Sequence, residues 1–310
     1  MQQYKQEWFG NIRGDILAGI VVCLALFPEV IGFMIVAGVP PIVGVYATFF
    51  ITAIAAFFGS SKGMISAAAG SVALVLAHLV AEYGIQYLFA ATILAGILQV
   101  ALGLLKVGTL MRYIPKPVMT GFVNGLGIMM FSSQLDHFQG SLLLPLLGLL
   151  GIAIIFLFPR ITKKIPAPIV AILVITAIVL GFGLDVKTLG DMGSISTDLP
   201  RFGIPAVPMT VETLRIIFPT ALSVAIVGLV ESLLTAQLVD EITEEKSDKN
   251  QETLSQGLGN VVSGFFGGIA GCGMIGQTII NLNYGGLGRL ATFLSGFFML
   301  LSVVLLNGSV

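Results

Sequence analysis

Long apolar runs separated by short polar stretches make up most of the chain. Most of these runs are near or above the roughly 20 residues that an α-helix needs to cross a bilayer. Because backbone groups in lipid must be hydrogen-bonded within the protein, the runs are predicted to be helices. About eleven segments are predicted, near 15–38, 42–58, 64–80, 87–105, 117–136, 142–158, 167–183, 212–239, 254–269, 270–284 and 289–307. The predicted fold class is therefore an all-α polytopic membrane protein.

The composition supports a membrane protein and excludes several other classes. Of the 310 residues, 56% are hydrophobic and 10% are charged, and the mean hydropathy is +1.01. This composition makes a lipid bilayer the expected partner. No basic block occurs, so nucleic acid is not an expected partner. The sequence holds no nucleophile–base set, metal-ligand cluster or phosphate-binding loop, so neither an enzyme nor a cofactor is predicted. Cys23 and Cys272 fall in apolar runs and are predicted to be small buried residues.

The basic residues predict the orientation in the membrane. If the N-terminus is cytoplasmic, only Lys187, Arg201 and Arg215 of the fifteen Lys and Arg residues face outside. Positively charged loops favour the cytoplasmic side. We therefore expect a multi-pass protein of the plasma (inner) membrane with a cytoplasmic N-terminus. The polar stretch 185–211 is then an extracellular linker, and the charged stretch 240–253 is predicted to be a solvated cytoplasmic loop.

Two pairs of similar segments suggest an internal repeat. Glu29 lies in LFPEVIGF and Glu231 in GLVESLLTA, while KGMISAAAGS at 62–71 is similar to CGMIGQTIIN at 272–281. The two pairs are separated by nearly the same distance along the chain. An odd number of predicted segments precedes the linker, so a second copy would be inverted in the membrane. Inverted repeats are common in secondary transporters.

Two glycine-rich segments, 63–71 and 264–277, contain too many glycines for a stable continuous helix and lead into helix-forming runs. This pattern predicts extended backbone followed by a half-helix. Two half-helix N-termini at mid-membrane would offer free N–H groups and positive dipole ends to an anion. The alternative is that the glycines only permit close helix packing. The candidate anion-binding residues are Ala69, Gly70, Ser71, Gly276, Gln277 and Thr278.

Glu231 and Glu29 are the acidic residues of interest within predicted membrane segments. An intramembrane carboxylate is costly and usually faces a cavity or a partner. Thr235 follows Glu231 by four residues and so lies on the same helix face. A carboxylate with a hydroxyl oxygen suits Na⁺, and a buried carboxyl can also carry H⁺. Glu29 is the secondary candidate, and for both residues the alternative is a structural hydrogen bond to a neighbouring helix.

Four stretches resemble blocks of the sulfate permease (SulP) family of anion transporters. They are NIRGDILAGIVVCLALFPEVIGFMIVAGVPPIVGVYATFF near the start, YIPKPVMTGFVNGLGI at 113–128, VGLVESLLTAQLVDE at 227–241 and NQETLSQGLGNVVSGFFGGIAGCGMIGQTIINLNYGGLGRLATF at 250–293. The resemblance covers essentially the whole chain. It implies a uracil-permease-like fold of fourteen segments in two inverted repeats of seven, with two half-helices at mid-membrane.

The same resemblance implies a domain assignment. Residues 1–108 would be segments 1–4 of a core domain, 109–184 segments 5–7 of a gate domain, and 212–310 core segments 8–11. About eleven of the fourteen segments are then present, and the remaining gate segments and a STAS domain are expected to be absent. A non-transporting fragment, or a channel-like or assembly subunit, is therefore the alternative to a transporter.

The function implied by the resemblance is secondary active, elevator-type transport of inorganic anions. Sulfate, bicarbonate or a related oxyanion would be the substrate, coupled to Na⁺ or H⁺, and a homodimer is allowed. GCGMIGQTIIN is similar to the bacterial branch that includes sodium-dependent bicarbonate transporters, which implies a Na⁺ site at Glu231, Thr235 and Gly273. Animal members have an arginine in the place of Gln277, so a chloride-type site is not implied.

Overall fold

The fold is helical apart from two short strands. A computed structural model describes residues 2–113, 116–135, 142–162, 165, 167–184, 186 and 199–306. The α-helices within these residues are α1 (Gln2–Phe9), α2 (Ile12–Ala37), α3 (Pro41–Phe58), α4 (Gly70–Tyr83), α5 (Ile85–Leu104), α6 (Lys116–Leu135), α7 (Leu143–Leu157), α8 (Ala167–Phe182), α9 (Val211–Thr243), α10 (Lys249–Phe265), α11 (Ile275–Asn283) and α12 (Arg289–Leu306). The strands are β1 (Ser66–Ala68) and β2 (Gly271–Gly273), and 3₁₀ helices cover Val107–Tyr113 and Phe158–Arg160.

The predicted segments agree with these elements. Each of the eleven overlaps one helix from α2 to α12, and the two glycine-rich segments contain the strands that precede α4 and α11. Among the described residues, α2, α3, α5, α9 and the stretch Leu143–Arg160 are long and apolar enough to cross a membrane. Shorter apolar helices include α4 and α8. Residue 185 and residues 187–198 of the predicted linker lie outside the described residues, so that assignment stays a prediction.

The prediction of a solvated loop over 240–253 is wrong at its C-terminal end. Helix α10 begins at Lys249, and Glu252 is only 1% exposed. Its Oε2 accepts hydrogen bonds from the backbone N–H groups of Ser60 (2.8 Å) and Ser61 (3.0 Å). These donors lower the cost of burying the charge. Charge density alone could not indicate that the turn after α3 supplies them.

The chain forms two compact units, one of Met1–Phe122 with Ile195–Val310 and one of Val123–Ser194. In the first unit, β1 and β2 pair antiparallel, with Ser66 opposite Gly273 and Ala68 opposite Gly271. All six strand residues are buried. In the second unit, α7 packs on α8. The predicted core and gate boundaries stay predictions.

Helix packing in the first unit repeats itself when the two halves are exchanged. Helix α2 packs on α12 as α9 packs on α5, and α3 packs on α12 as α10 packs on α5. Helix α2 also contacts α4 and α11, as α9 contacts α11 and α4. The antiparallel strands fit the same exchange, which is what an inverted repeat predicts. The two similar sequences, Gly-Met-Ile at 63–65 and at 273–275, are not equivalent positions of the two repeats, because Gly63 precedes β1 whereas Gly273 ends β2.

Two glycines allow α5 and α10 to pack backbone to backbone. A Cβ on Gly96 would lie 2.6 Å from the carbonyl oxygen of Gly257 and 2.6 Å from the amide nitrogen of Val261. A Cβ on Gly257 would lie 2.7 Å from the carbonyl oxygen of Gly96 and 2.7 Å from the amide nitrogen of Val100. Small residues at such crossings are a common device of membrane helices.

We expect Gly257→Ala to destabilise the first unit by about 2 kcal/mol or more, because the added methyl group meets backbone that has no room to move. The midpoint of thermal unfolding in detergent measures this effect. Gly32→Ala is the control, since a Cβ on Gly32 meets nothing within 4 Å and alanine favours a helix. Equal midpoints for the two variants would contradict the packing argument.

Candidate functional site

The first half-helix, α4, begins directly after β1. Ala69 is extended (φ −121°, ψ 145°) and no side chain caps the helix. The N–H of Ala73 donates to the carbonyl of Ala69 (3.0 Å), so the amides of Gly70, Ser71 and Val72 precede the ladder of helical hydrogen bonds. All three residues are buried. The predicted residues Ala69, Gly70 and Ser71 therefore form the N-terminus of a buried half-helix.

The second half-helix, α11, begins in the same way after β2. Met274 is extended (φ −104°, ψ 112°), no side chain caps the helix, and the helix starts at Ile275. The N–H of Thr278 donates to the carbonyl of Met274 (3.0 Å). The amides of Ile275, Gly276 and Gln277 therefore precede the helical ladder. Both half-helix N-termini that the sequence predicts are present.

Thr278 differs from the other predicted anion-binding residues. Its N–H is used within α11, and its Oγ1 accepts a hydrogen bond from the N–H of Ile65 (3.0 Å). The N–H of Met274 donates to the carbonyl of Ile65 (2.8 Å). Thr278 is fully buried and fastens the start of α11 to the segment that precedes β1. These contacts are structural, and a role of Thr278 in anion binding stays a prediction.

Glu231 joins α9 to both strand–helix units. Its Oε2 accepts a hydrogen bond from the hydroxyl of Ser71 (2.5 Å) and one from the thiol of Cys272 (3.2 Å). Ser71 lies in the first turn of α4, and Cys272 is the central residue of β2. The sequence placed Cys272 only as a small buried residue and so missed this contact. Its position in Gly-Cys-Gly, just before the second half-helix, was the available signal.

One turn further along α9, Thr235 meets β2. Its Oγ1 lies 3.1 Å from the carbonyl oxygen of Gly273 and 2.8 Å from that of Glu231. The neighbouring Ser232 accepts a hydrogen bond from the N–H of Gly273 (2.8 Å). Thr235 and Gly273 are thus in direct contact, while the carboxylate of Glu231 points to Ser71 and Cys272. The contact of Ser232 with β2 was not predicted from the sequence.

Glu29 contacts the second half-helix, α11, much as Glu231 contacts the first, α4. Nε2 of Gln277, in the first turn of α11, donates to Oε2 of Glu29 (2.5 Å). Each of these two glutamates therefore contacts the half-helix of the opposite repeat. Glu29 on α2 contacts α11, and Glu231 on α9 contacts α4. The other amide atom, Oε1 of Gln277, is buried and has no hydrogen-bond partner among the described residues.

A polar face of α10 holds the two strands in place. The side chain of Asn260 accepts from the N–H of Gly271 (2.8 Å) and donates to its carbonyl (3.1 Å). Gln256 donates to the hydroxyl of Ser66 in β1 (2.6 Å) and to Glu252 (3.1 Å). The spacing of four residues from Glu252 to Gln256 to Asn260 is the sequence signal for this buried polar face, which was not predicted.

Comparison with known protein families finds a match to the sulfate permease family over residues 12–142 and 141–310. The chain belongs to the sulfate permease family. YbaR of Bacillus subtilis is 56% identical over 306 residues, which is 98% of this chain and 64% of YbaR. The bicarbonate transporter BicA of Synechocystis is 30% identical, over 100% of this chain and 59% of BicA. The chain thus spans about 60% of the length of these curated relatives.

Two solved structures share the fold. The transmembrane domain of a cyanobacterial bicarbonate transporter BicA matches with a TM-score of 0.84 and 27% identity, over 96% of this chain and 83% of that chain. SLC26A9 matches with a TM-score of 0.79 at 18% identity, over 96% of this chain and 54% of that chain, which shows the fold alone. The predicted family and the all-α membrane fold are confirmed, and the chain is an integral membrane protein.

Proposed function

We propose that the chain is the substrate-binding part of a secondary active transporter of inorganic anions, with sulfate, bicarbonate or a related oxyanion as substrate. One observation carries this proposal. Two uncapped half-helices start from one buried pair of strands, and each first turn is in contact with an intramembrane glutamate. Discontinuous helices of this kind bind anionic groups at their N-termini in transporters.

The proposed anion site uses backbone amides. Gly70 and Ser71 from α4, and Gly276 and Gln277 from α11, would supply N–H donors and the positive ends of two helix dipoles. An anion in this place would also meet the carboxylates of Glu231 and Glu29. In a medium of low dielectric constant, like charges at short range repel strongly. The anion would therefore enter with a cation that neutralises a carboxylate, and this is the physical basis for coupling.

Na⁺ or H⁺ is the proposed coupling ion. Na⁺ would bind oxygen atoms of Glu231, Thr235 and Gly273, which suits a hard cation, whereas H⁺ would bind the carboxylate of Glu231 alone. The residues of the proposed site all lie in the first unit, which suits an elevator-type carrier, because such a carrier moves its substrate within one rigid body. We place this unit in the plasma membrane with a cytoplasmic N-terminus.

Uptake into vesicles tests the proposal. The full gene product, reconstituted into lipid vesicles, is expected to take up labelled hydrogencarbonate or sulfate with saturation and only under an inward Na⁺ or H⁺ gradient. Flux that does not saturate and does not follow either gradient would favour a channel-like function. The absence of both flux and anion binding would contradict the proposal.

We expect Thr235→Val to raise the half-saturating Na⁺ concentration for uptake by roughly 10-fold or more, because valine keeps the shape and removes the oxygen ligand. Thr243→Val is the matched control, since Thr243 makes the same backbone bond on α9, to Val239 (2.8 Å), outside the site. An unchanged Na⁺ dependence in Thr235→Val would remove this residue from the cation site, whereas wild-type uptake that does not depend on Na⁺ would favour H⁺ at Glu231.

A further inference from the structure

The side-chain amide of Gln277 is held in one orientation. The side chain is buried, with the residue 5% exposed, and Nε2 lies 2.5 Å from Oε2 of Glu29. Of the two side-chain amide atoms, only the nitrogen donates hydrogen bonds and only the oxygen accepts them. In this contact Nε2 donates and the carboxylate accepts, so Oε1 is the amide atom of Gln277 that is not bonded to Glu29.

This Oε1 is a buried acceptor that lacks a donor within the described part of the chain. Buried polar groups in native proteins are nearly always hydrogen-bonded, and one without a partner costs free energy. Gln277 is the third residue of α11, in the turn whose amides precede the helical ladder. The turn thus combines backbone N–H donors with one acceptor that needs a hydrogen from elsewhere.

We propose that the site takes an oxyanion that carries one proton. Its O–H would donate to Oε1 of Gln277, and its unprotonated oxygens would accept from the first-turn amides of α4 and α11. Hydrogencarbonate has this chemistry, whereas sulfate and nitrate would leave Oε1 unpaired. A site built to bond a substrate hydroxyl strongly rejects analogues that lack it. This inference rests on the proposed function, because it names what that anion site selects.

Nitrate is the sharpest probe of this selection, because it is planar and singly charged like hydrogencarbonate but has no O–H. Binding of both anions to the purified full gene product is measured by titration calorimetry at a pH where hydrogencarbonate predominates. The wild type is expected to bind hydrogencarbonate at least ~10-fold more tightly than nitrate. In Gln277→Met, which keeps the length and removes the amide oxygen, the two affinities are expected to agree within about 3-fold.

The ratio of the two affinities is the readout, since general damage to the site would weaken both anions alike. Gln237→Met on α9 is the matched control and should keep the wild-type ratio, because Gln237 contacts the exposed Glu241. If Gln277→Met does not fold, the same ratio of affinities is measured in Gln277→Asn and compared with the ratio of the wild type.

Three results are distinguishable. Nitrate bound as tightly as hydrogencarbonate by the wild type, or an unchanged ratio in Gln277→Met, overturns this inference and leaves the proposed function intact. A Gln277→Met protein that loses affinity for Na⁺ and weakens both anions equally assigns Oε1 to the cation and also overturns it. Failure to bind hydrogencarbonate, sulfate and nitrate alike contradicts the proposed function itself.

Discussion

Glu231→Gln is expected to reduce cation-driven anion uptake by about 100-fold. Glutamine keeps the size of the side chain and can still accept hydrogen bonds from Ser71 (2.5 Å) and Cys272 (3.2 Å) in the wild-type geometry. It carries no charge, so it neither binds Na⁺ well nor exchanges a proton. The loss should therefore appear in the coupling to the gradient and not in the amount of folded protein.

Initial uptake rates under separate Na⁺ and H⁺ gradients measure this effect. Glu212→Gln is the matched control, because Glu212 lies on the same helix but in its exposed first turn. If Glu231→Gln transported as fast as the wild type under both gradients, the coupling role of Glu231 would be wrong.

Gly271→Ala is expected to have the largest effect on folding, at about 3 kcal/mol or more. A Cβ on Gly271 would lie 2.1 Å from the carbonyl oxygen of Ala67 and 2.6 Å from its carbonyl carbon. Both atoms are backbone of β1, so only separation of the strands relieves the clash. The two half-helices start from these strands, and anion binding should therefore be lost together with stability.

Thermal unfolding and anion titration of the same preparation measure both losses. Gly276→Ala is the control for folding, because a Cβ on Gly276 meets nothing within 4 Å. A Gly271→Ala protein with the unfolding midpoint of the wild type would show that β2 tolerates a side chain at position 271, against the close approach described above.

The sequence predicted those features of the site that depend on local chemistry. The glycines of 264–277 indicated a broken helix, and the apolar surroundings of Glu231 marked its carboxylate as unusual. Both are properties of neighbouring residues. The starting residue of α11 was not predictable in this way, because the pairing of β2 with Ser66–Ala68 decides where the extended backbone ends.

The features that the sequence did not reveal depend on contacts between distant segments. Cys272 became relevant only because Glu231 on α9 directs its carboxylate toward β2. Glu252 is buried and not solvated because the turn after α3 presents two N–H groups to it. The hydrogen bond from the N–H of Ile65 to Oγ1 of Thr278 likewise joins two distant segments, while a role of Thr278 in anion binding stays a prediction.

The central claim is that one oxyanion binds between the first-turn amides of α4 and α11. Crystals of the full gene product soaked in hydrogenselenite, a protonated oxyanion that contains an anomalous scatterer, test it most directly. The account predicts a selenium peak beside the amides of Ser71 and Gly276, with an oxygen within hydrogen-bonding distance of Oε1 of Gln277. A peak only at other places, with both first turns empty at saturating hydrogenselenite, would contradict it.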